Sequence, residues 1–490
     1  MVLILSRSAE EAEMILVRMM ELSDKTKENA KPHVFDLIRP DLISFNSVLN
    51  AWVHSNESFA AHRAQEVFSL MKSQNDDILP DIISYNTLMN AWAKSRGDSR
   101  ESLTRMMDIF EEMKSSALEN DNSDIEPTTV TYNTALSAIA KSGQSDAGTN
   151  AQAILEKMEK LSTEKNSCIK PDTISYSNVI NAWAKSGQIG AALRAEDVLY
   201  RMQEINEKGN IQVRPNTYCF NSVINAWAYS KLKDSAEKAE SILDLMIQLH
   251  EDGSENIMPD QISFNQVMIA YSRSRQPDIA KKVKVVFDKM EQCVRKGNER
   301  ARPNSMSYSM LISVLLKSNE FDAARRAEKI LERMETQYAD GHIEAKADKV
   351  TYNSILKMWA KSTDRRSTSK AEDLVRRMLS LCKKKDRSDL EPDLFTYTTL
   401  IDVWSKSRND DAGHQAERIL NTVLGLSHIQ PSTMLYNAVI NSYASIHAIN
   451  KDHVMRAREI LNQMEESSEK NSYISPDIVT YNTVIKGRVF

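Results

Sequence analysis

The sequence is poor in cysteine, glycine and proline, and it contains no long apolar run. Its 490 residues include 4 Cys, 12 Gly and 12 Pro. The cysteines lie far apart without a Cys-x-x-Cys spacing, which argues against a zinc site or a disulfide framework and is compatible with a reducing compartment. No stretch approaches the roughly 20 consecutive apolar residues that a membrane-spanning helix needs. We therefore expect a soluble protein without a membrane partner.

A strong net charge is also lacking. The formal charge is −5 at pH 7, so the chain has no overall basic character. Any surface for nucleic acid must therefore arise from the local placement of Lys and Arg. The hydrophobic content of 41% is ordinary for a folded chain, and the scarcity of glycine favours helices.

A repeat dominates the sequence. Eleven times an aromatic residue is followed by Asn, Ser or Thr, which we call the anchor, and successive anchors are 39 to 47 residues apart. All six Trp lie six residues after an anchor, and ten of the twelve Pro lie six residues before one. Such a period predicts one elongated array of repeats rather than several globular domains. The anchors are Asn46, Asn86, Asn133, Ser177, Asn221, Asn265, Ser309, Asn353, Thr398, Asn437 and Asn482.

Each repeat has the pattern of two helices. In the first, helix A, apolar residues recur at i, i+3, i+4 and i+7, as in Phe45, Val48, Leu49 and Trp52. In the second, helix B, a small residue precedes a Met by seven positions, as in Ala64 and Met71. A polar connection follows helix B, and we assign it no recognition role. The pattern predicts an all-α fold of helical hairpins.

The repeat also predicts the domain organisation. We expect residues 1–41 to hold a partial first repeat, with helix B over Ala9–Glu21, and residues 42–477 to hold ten tandem repeats. Residues 478–490 then form the truncated start of a further repeat. We therefore expect the chain to be a fragment, from which any targeting peptide is missing.

These residues resemble the pentatricopeptide repeat family. Residues 130–133, 350–353 and 479–482 all spell the family's Val-Thr-Tyr-Asn start, and the small-residue and Met pattern and the Pro-Asp ending recur with it. The resemblance implies a right-handed α-solenoid superhelix of about ten to eleven helix-turn-helix repeats. The units here are longer than the family's usual unit because the connection is extended. The tetratricopeptide repeat is disfavoured, because no Leu-Gly pair follows any Trp.

A polar face is predicted on helix A. The anchor and the residues four and eight positions later lie on one side of the helix. The third of these positions is cationic in seven repeats, and we expect this cationic row to bind phosphates. Lys near a helix C-terminus is also favoured by the helix dipole. His54, Tyr229 and Ser445 occupy the same position in the other repeats. The cationic row is Lys94, Lys141, Lys185, Arg273, Lys317, Lys361 and Lys406.

The resemblance implies that base choice depends on the anchor together with the last residue of the same repeat. Each such last residue is equally suited to cap the next helix, and the two roles are compatible. The implied base-recognition pairs are Asn46/Asp81, Asn86/Thr128, Asn133/Asp172, Ser177/Asn216, Asn221/Asp260, Asn265/Asn304, Ser309/Asp348, Asn353/Asp393, Thr398/Ser432 and Asn437/Asp477.

The family's correspondence between pairs and bases implies the RNA sequence U-Y-U-A-U-Y-G-U-N-U, which is rich in uridine. The resemblance further implies that apolar residues three positions before the anchors sandwich the bases. Packing against another helix is the alternative explanation for these apolar residues. They include Ile43, Ile83, Val130, Ile174, Ile262 and Val350.

Catalysis is not expected. His342-Ile343-Glu344 forms an H-x-E, but no Pro-Cys-x-x-Cys follows, so a deaminase zinc site cannot be assembled. We find no phosphate-binding glycine loop and expect no cofactor, metal or small-molecule substrate.

Two functions remain open. One is a sequence-selective protein for single-stranded RNA, with about one base per repeat. The other is an α-solenoid scaffold for protein–protein interaction, although a peptide groove would be expected to offer more apolar anchors. For the first, the resemblance implies a role in RNA processing, stability, splicing, editing support or translation in mitochondria or plastids, together with protein partners that supply catalysis.

Overall fold

The structure is a computed structural model that describes residues 2–28, 38–55, 57–74, 78–95, 99–119, 125–164, 168–274, 276–318, 320–384, 387–407, 409–444, 451–468 and 473–486. Every regular element in these ranges is helical. The α-helices are α1 (Val2–Glu28), α2 (Leu42–Ser55), α3 (Ala60–Ser73), α4 (Ile82–Lys94), α5 (Ser99–Glu119), α6 (Thr129–Ser142), α7 (Ala147–Ser162), α8 (Thr173–Ser186), α9 (Ala191–Glu207), α10 (Thr217–Tyr229), α11 (Ser235–Glu251), α12 (Gln261–Arg273), α13 (Ile279–Arg295), α14 (Ser305–Ser318), α15 (Ala323–Ala339), α16 (Lys349–Lys361), α17 (Ser367–Lys384), α18 (Leu394–Lys406), α19 (Ala412–Leu424), α20 (Thr433–Ala444), α21 (Lys451–Ser468) and α22 (Ile478–Lys486).

The helices pair as hairpins inside two compact units, Met1–Ala270 and Tyr271–Phe490. Even-numbered helices are helix A of a repeat, and odd-numbered helices are helix B. In the first unit α2 contacts its partner α3 and also the next helix A, α4. In the second unit α18 contacts α19 and α20 in the same way. The predicted all-α fold of helical hairpins is confirmed, and the helix expected over Ala9–Glu21 extends from Val2 to Glu28.

The core lies between helices A and B. All six Trp are buried, and the aromatic residue before the anchor is buried in every repeat except the last, where Tyr481 is exposed. In helix B, Ala64 and Met71 have no exposed surface. Small side chains allow the helices to approach closely, and the flexible Met fills the remaining space. Among the described helices, none combines the length and apolar character needed to cross a bilayer.

The connections are packed rather than solvated. Each carries an apolar residue eight positions before the next anchor, and in nine connections this residue is buried. A hydroxyl at the start of helix A also bonds the connection that follows: the Arg214 backbone N–H donates to Thr173 Oγ1 at 2.8 Å. The extended connections therefore fix the spacing of neighbouring hairpins. The nine buried residues are Ile78, Ile125, Val213, Ile257, Ala301, Ala345, Leu390, Ile429 and Ile474.

Ion pairs join successive B helices on the other side of the hairpins. Arg201 Nη2 on α9 lies 2.5 Å from Glu159 Oε2 on α7, and the Tyr176 hydroxyl donates to the other oxygen of Glu159 at 2.7 Å. Arg377 and Arg456 bond Glu335 and Glu417 in the same arrangement. The arginines of these pairs are partly exposed to solvent, which screens the attraction, so we attribute most of the stability to burial of the core.

A side-chain cap begins most A helices. Asp81 Oδ1 accepts from the backbone N–H of Ser84 at 2.8 Å, which satisfies one of the unpaired donors of the first turn. Asn216 makes the same bond to the Cys219 N–H at 3.1 Å. The capping role considered for the last residue of each repeat is therefore confirmed at these positions.

The close approach of α7 to α8 gives a first prediction. A Cβ added at Gly148 would lie 2.2 Å from the Trp183 ring. We expect Gly148→Ala to lower the free energy of unfolding by about 2 kcal/mol, because the Trp must shift in a packed core. Gly425→Ala is the control, because its nearest neighbour would be 3.4 Å away. Chemical denaturation measures the stability of both variants. Equal stability would contradict the close contact between Gly148 and Trp183.

The caps give a second prediction. Asp260→Ala should lower the free energy of unfolding by about 1 kcal/mol, because the Ser263 N–H loses its acceptor. Asp260→Asn should be almost neutral, because an amide oxygen caps the helix that follows Asn216. Urea denaturation of both variants distinguishes loss of the cap from loss of the charge. Equal destabilisation by Ala and Asn would show that the charge matters more.

Candidate nucleic-acid interface

A row of exposed apolar side chains follows the start of the A helices. Ile43 is 72% exposed and Val350 is 69% exposed, so these side chains do not pack in the core. The helix-packing explanation is therefore wrong for this position. The row is also longer than the six residues predicted, since the same register holds Tyr218, Met306, Phe395, Met434 and Val479, all exposed.

The anchors lie beside this row on helix A, and at least four of them bond the last residue of their own repeat. The Asn221 Nδ2 donates to Asp260 Oδ1 at 3.0 Å, and the same oxygen caps α12. The structure thus brings together residues that are 39 positions apart. The four bonded pairs are Asn46/Asp81, Asn133/Asp172, Asn221/Asp260 and Asn437/Asp477.

The hydroxyl of Ser or Thr in the first turn of the next helix A completes this arrangement, and the sequence analysis missed it. Ser263 Oγ lies 2.6 Å from Asn221 Oδ1, and Thr480 Oγ1 lies 2.6 Å from Asn437 Oδ1. The sequence does carry a signal, because the position two residues before an anchor is Ser or Thr in every repeat except at Cys219 and Leu435. The hydroxyls that donate to an anchor amide oxygen include those of Ser84, Ser175, Ser263, Thr396 and Thr480.

Three other predicted pairs are arranged differently. Asn353 accepts from Thr396 at 2.8 Å, while Asp393 lies 3.6 Å from the Lys349 ammonium group. The buried Oδ1 of Asn86 has no hydrogen-bond partner in the described part of the chain. Thr398 donates to the backbone oxygen of Leu394 at 2.7 Å.

The anchor Ser177 makes short contacts of its own. Its Oγ lies 3.0 Å from Cys219 Sγ and donates to the Thr173 carbonyl at 2.5 Å. Burial raises the pKa of the Cys219 thiol, so this sulfur is not a thiolate at neutral pH. The predicted partner of Ser177, Asn216, instead caps α10 through the Cys219 N–H.

Ser309 and Asp348 share no direct hydrogen bond in the described part of the chain. Asp348 Oδ1 accepts from the backbone N–H of Thr351 at 2.8 Å and from its hydroxyl at 2.7 Å, so Asp348 caps α16. Ser309 Oγ lies 3.5 Å from the same Thr351 hydroxyl. A Ser side chain is shorter than an Asn amide and stops at Thr351, whereas the amides of the four bonded pairs reach the carboxylate. Thr351 therefore links Ser309 to Asp348 indirectly.

One further pair, Asn265 and Asn304, completes the predicted set, and Thr128 and Ser432 are the second members of two pairs described above. Asn265 is buried on α12, and Asn304 caps α14 by accepting from the Ser307 N–H at 3.1 Å. Thr128 begins α6, and its backbone N–H donates to Thr131 Oγ1 at 3.1 Å. Ser432 begins α20, and its backbone oxygen accepts from the Leu435 N–H at 3.0 Å.

Hydrogen bonds lower the pKa of two capping carboxylates, Asp477 and Asp41. The backbone N–H of Thr480, followed by its hydroxyl, holds the pKa of Asp477 below its usual value, and the Asn437 amide acts in the same direction. The Ser44 hydroxyl, followed by its N–H, lowers the pKa of Asp41 in the same way. These carboxylates therefore remain acceptors at neutral pH, and the anchor amide donates to Asp477.

The cationic row lies at the C-terminal ends of the A helices, where its side chains are exposed. Five of them have no carboxylate partner among the described residues. Lys94 and Lys141 line one cavity of 300 Å³, so two consecutive repeats bring their cations together. Lys406 differs because its ammonium group lies 2.6 Å from Asp402, and Ser445 lies outside the described residues. The five unpaired cations are Lys94, Lys141, Lys185, Lys317 and Lys361.

The H-x-E motif lies in the connection between α15 and α16. His342 Nε2 lies 2.9 Å from Arg302 Nη1, which ties the His of the H-x-E to the preceding connection. The described residues contain no group of three or more His, Cys, Asp or Glu side chains that could hold a metal ion.

Comparison with family models agrees with the repeat. The model of the Pentatricopeptide repeat domain matches residues 34–95, 70–142, 117–186 and 380–446. A crystal structure of the pentatricopeptide repeat protein PPR10 in complex with an 18-nt psaJ RNA element is 17% identical, and the alignment covers 99% of this chain and 84% of that chain with a TM-score of 0.28. A cysteine-to-serine variant of PPR10 with the same RNA element gives the same values. No curated protein sequence matches. With their repeated starts and helical hairpins, the matched segments 34–186 and 380–446 are pentatricopeptide repeats, and the same repeat pattern continues between them.

Proposed function

We propose that this protein binds single-stranded RNA in a sequence-selective manner, with about one base per repeat. The observation that carries the proposal is the exposed apolar row beside the anchor amides. Ile83 is 60% exposed and Ile174 is 58% exposed, although burial would be favourable for both. Nucleic-acid bases stack on such side chains, while the neighbouring amides and hydroxyls bond base edges.

The cations supply the second requirement of the proposal. Phosphates need positive charge, and the five unpaired lysines carry it on a protein with a formal charge of −5. Their position eight residues after the anchor separates them from the capping carboxylates at the other end of helix A. An interaction scaffold for proteins would leave the repeated pairing of amide, carboxylate and cation without a role.

The ten pairs define the RNA. We propose the order U-Y-U-A-U-Y-G-U-N-U, in which Asn221 with Asp260 selects the fifth base. The four anchors that bond an Asp carboxylate all select uridine in this order. We further propose a role in organellar RNA metabolism, in mitochondria or plastids, with catalysis supplied by protein partners.

The salt dependence of binding is a third prediction. If all seven residues of the cationic row contact phosphates, log K should fall with log salt at a slope near −5, from about 0.7 per phosphate on a single strand. Lys406 must first leave Asp402. Fluorescence anisotropy with the ten-base RNA between low and moderate salt gives the slope. A slope near zero would contradict phosphate binding by this row.

A fourth prediction concerns the anchor itself. Asn221→Thr should move the preference at the fifth base from pyrimidine toward purine by the family's correspondence, since a hydroxyl is shorter than an amide and carries its donor and its acceptor on one atom. The control is Asn421→Thr, on the exposed face of α19. Binding to four RNAs that differ only at the fifth base measures the change. An unchanged preference in Asn221→Thr would show that the anchor does not select the base.

A further inference from the structure

The buried hydroxyl in the first turn of each following helix A has a role that the base-recognition pairs leave unassigned. Ser84, Ser175, Ser263 and Thr396 have no exposed surface, so they cannot touch a bound RNA. Each nevertheless reaches the oxygen of an anchor amide in the preceding repeat. Any influence of these hydroxyls on RNA must therefore act through the anchor.

The hydrogen-bond geometry around Asn221 shows where the hydroxyl proton goes. Asp260 Oδ1 accepts from the Asn221 Nδ2 at 3.0 Å and from the Ser263 N–H at 3.0 Å. These two bonds occupy the lone pairs of that oxygen. The Ser263 hydroxyl lies 2.6 Å from Asn221 Oδ1 and 3.0 Å from Asp260 Oδ1. Its single proton therefore goes to the amide oxygen, which is the nearer acceptor.

This arrangement fixes the orientation of the amide. If the amide turned over, Asn221 Oδ1 would face the Asp260 carboxylate, and two acceptors would stand against each other. The hydroxyl holds the oxygen on its other side, so the amide has two attachment points. Without the hydroxyl only the bond to Asp260 remains, and the Asn side-chain amide torsion has broad minima.

Orientation matters because uracil and cytosine differ by an exchange of donor and acceptor. Uracil offers a donor at N3 and an acceptor at O4, whereas cytosine offers an acceptor at N3 and a donor at N4. Asn221 retains one N–H and one oxygen lone pair for a base. An amide held one way round matches uracil on this edge, and the same amide turned over matches cytosine.

We infer that the buried Ser or Thr two residues before the next anchor is a positioning residue that sets the preference for uracil over cytosine in the preceding repeat. The inference rests on the proposed binding of RNA through the anchors. It assigns specificity to a third position beyond the two implied by the family resemblance.

The inference also gives an expectation for the second repeat, in which no hydroxyl among the described residues is bonded to the oxygen of the anchor amide. Asn86 has a buried Oδ1 without a partner in the described part of the chain, and Thr131 bonds Thr128 instead. The second base should therefore be selected less sharply than the third, where Ser175 holds Asn133 at 2.7 Å.

The fifth prediction tests the inference with Ser263→Ala in the full chain. We expect the ratio of affinities for RNA with U or C at the fifth base to fall about tenfold, the scale of one lost buried hydrogen bond. The same ratio at the third base should not change, because Asn133 keeps Ser175. Ser263→Thr should retain the wild-type ratio, as Thr480 fills this position naturally.

The matched control is Ser44→Ala. Ser44 makes the same bonds to its capping residue, with its N–H 2.8 Å and its hydroxyl 2.7 Å from Asp41 Oδ1, but no anchor precedes it. Ser44→Ala should leave the ratio of affinities for U and C unchanged at both the third and the fifth base. Thermal unfolding of each variant checks that it is still folded.

The outcomes separate the two proposals. If the wild type prefers U at the fifth base and Ser263→Ala keeps that preference, the inference is overturned while base recognition stands. If Ser263→Ala lowered the preference for U over C equally at the third and fifth bases, the role of Ser263 would be purely structural, and the inference would again be overturned. A wild type that binds U and C equally at the fifth base would remove the proposed function, and this inference with it.

Discussion

The carboxylate between two successive A helices is the interaction on which the structure depends. Asp172 caps α8 through the Ser175 N–H at 2.9 Å and receives the Asn133 amide of α6 at 3.1 Å. One side chain therefore begins a helix, joins it to its predecessor and orients the anchor. Because the helix cap and the proposed base recognition share these atoms, we expect changes at the capping residue to alter helix stability and the anchor together.

The connections make this sharing possible. A helix A can present its cap to the preceding anchor only if the hairpins are held at a constant spacing. Buried residues such as Val213 and Ile257, and the bonds from Thr173 and Thr217 to the connection, supply that constraint. The connection of each long repeat is therefore packed against its neighbours. This packing lowers the conformational freedom between successive repeats within each compact unit.

The sequence predicts the helices and the core because the 3.6-residue period is local and is repeated eleven times. Through the family resemblance, the sequence also predicts the anchor pairs, but it does not predict which pairs are in contact. Asp260 accepts a hydrogen bond from the Asn221 amide, whereas Asp348 bonds only Thr351 among the described side chains. Burial of Ile78 was missed because a single apolar residue in a polar segment has no helix or strand period, although an apolar residue recurs eight positions before each anchor. The bond from Ser263 to Asn221 joins residues 42 positions apart and requires the relative placement of two helices.

The central claim is that ordered contacts along the A helices select an RNA sequence. Its most direct test is the affinity of the chain for the proposed ten-base RNA, for a scrambled RNA of the same composition and for the matching single-stranded DNA at one salt concentration. We expect the tightest binding to the ordered RNA, because each mismatched base leaves anchor groups unpaired. Equal affinity for all three strands would contradict it.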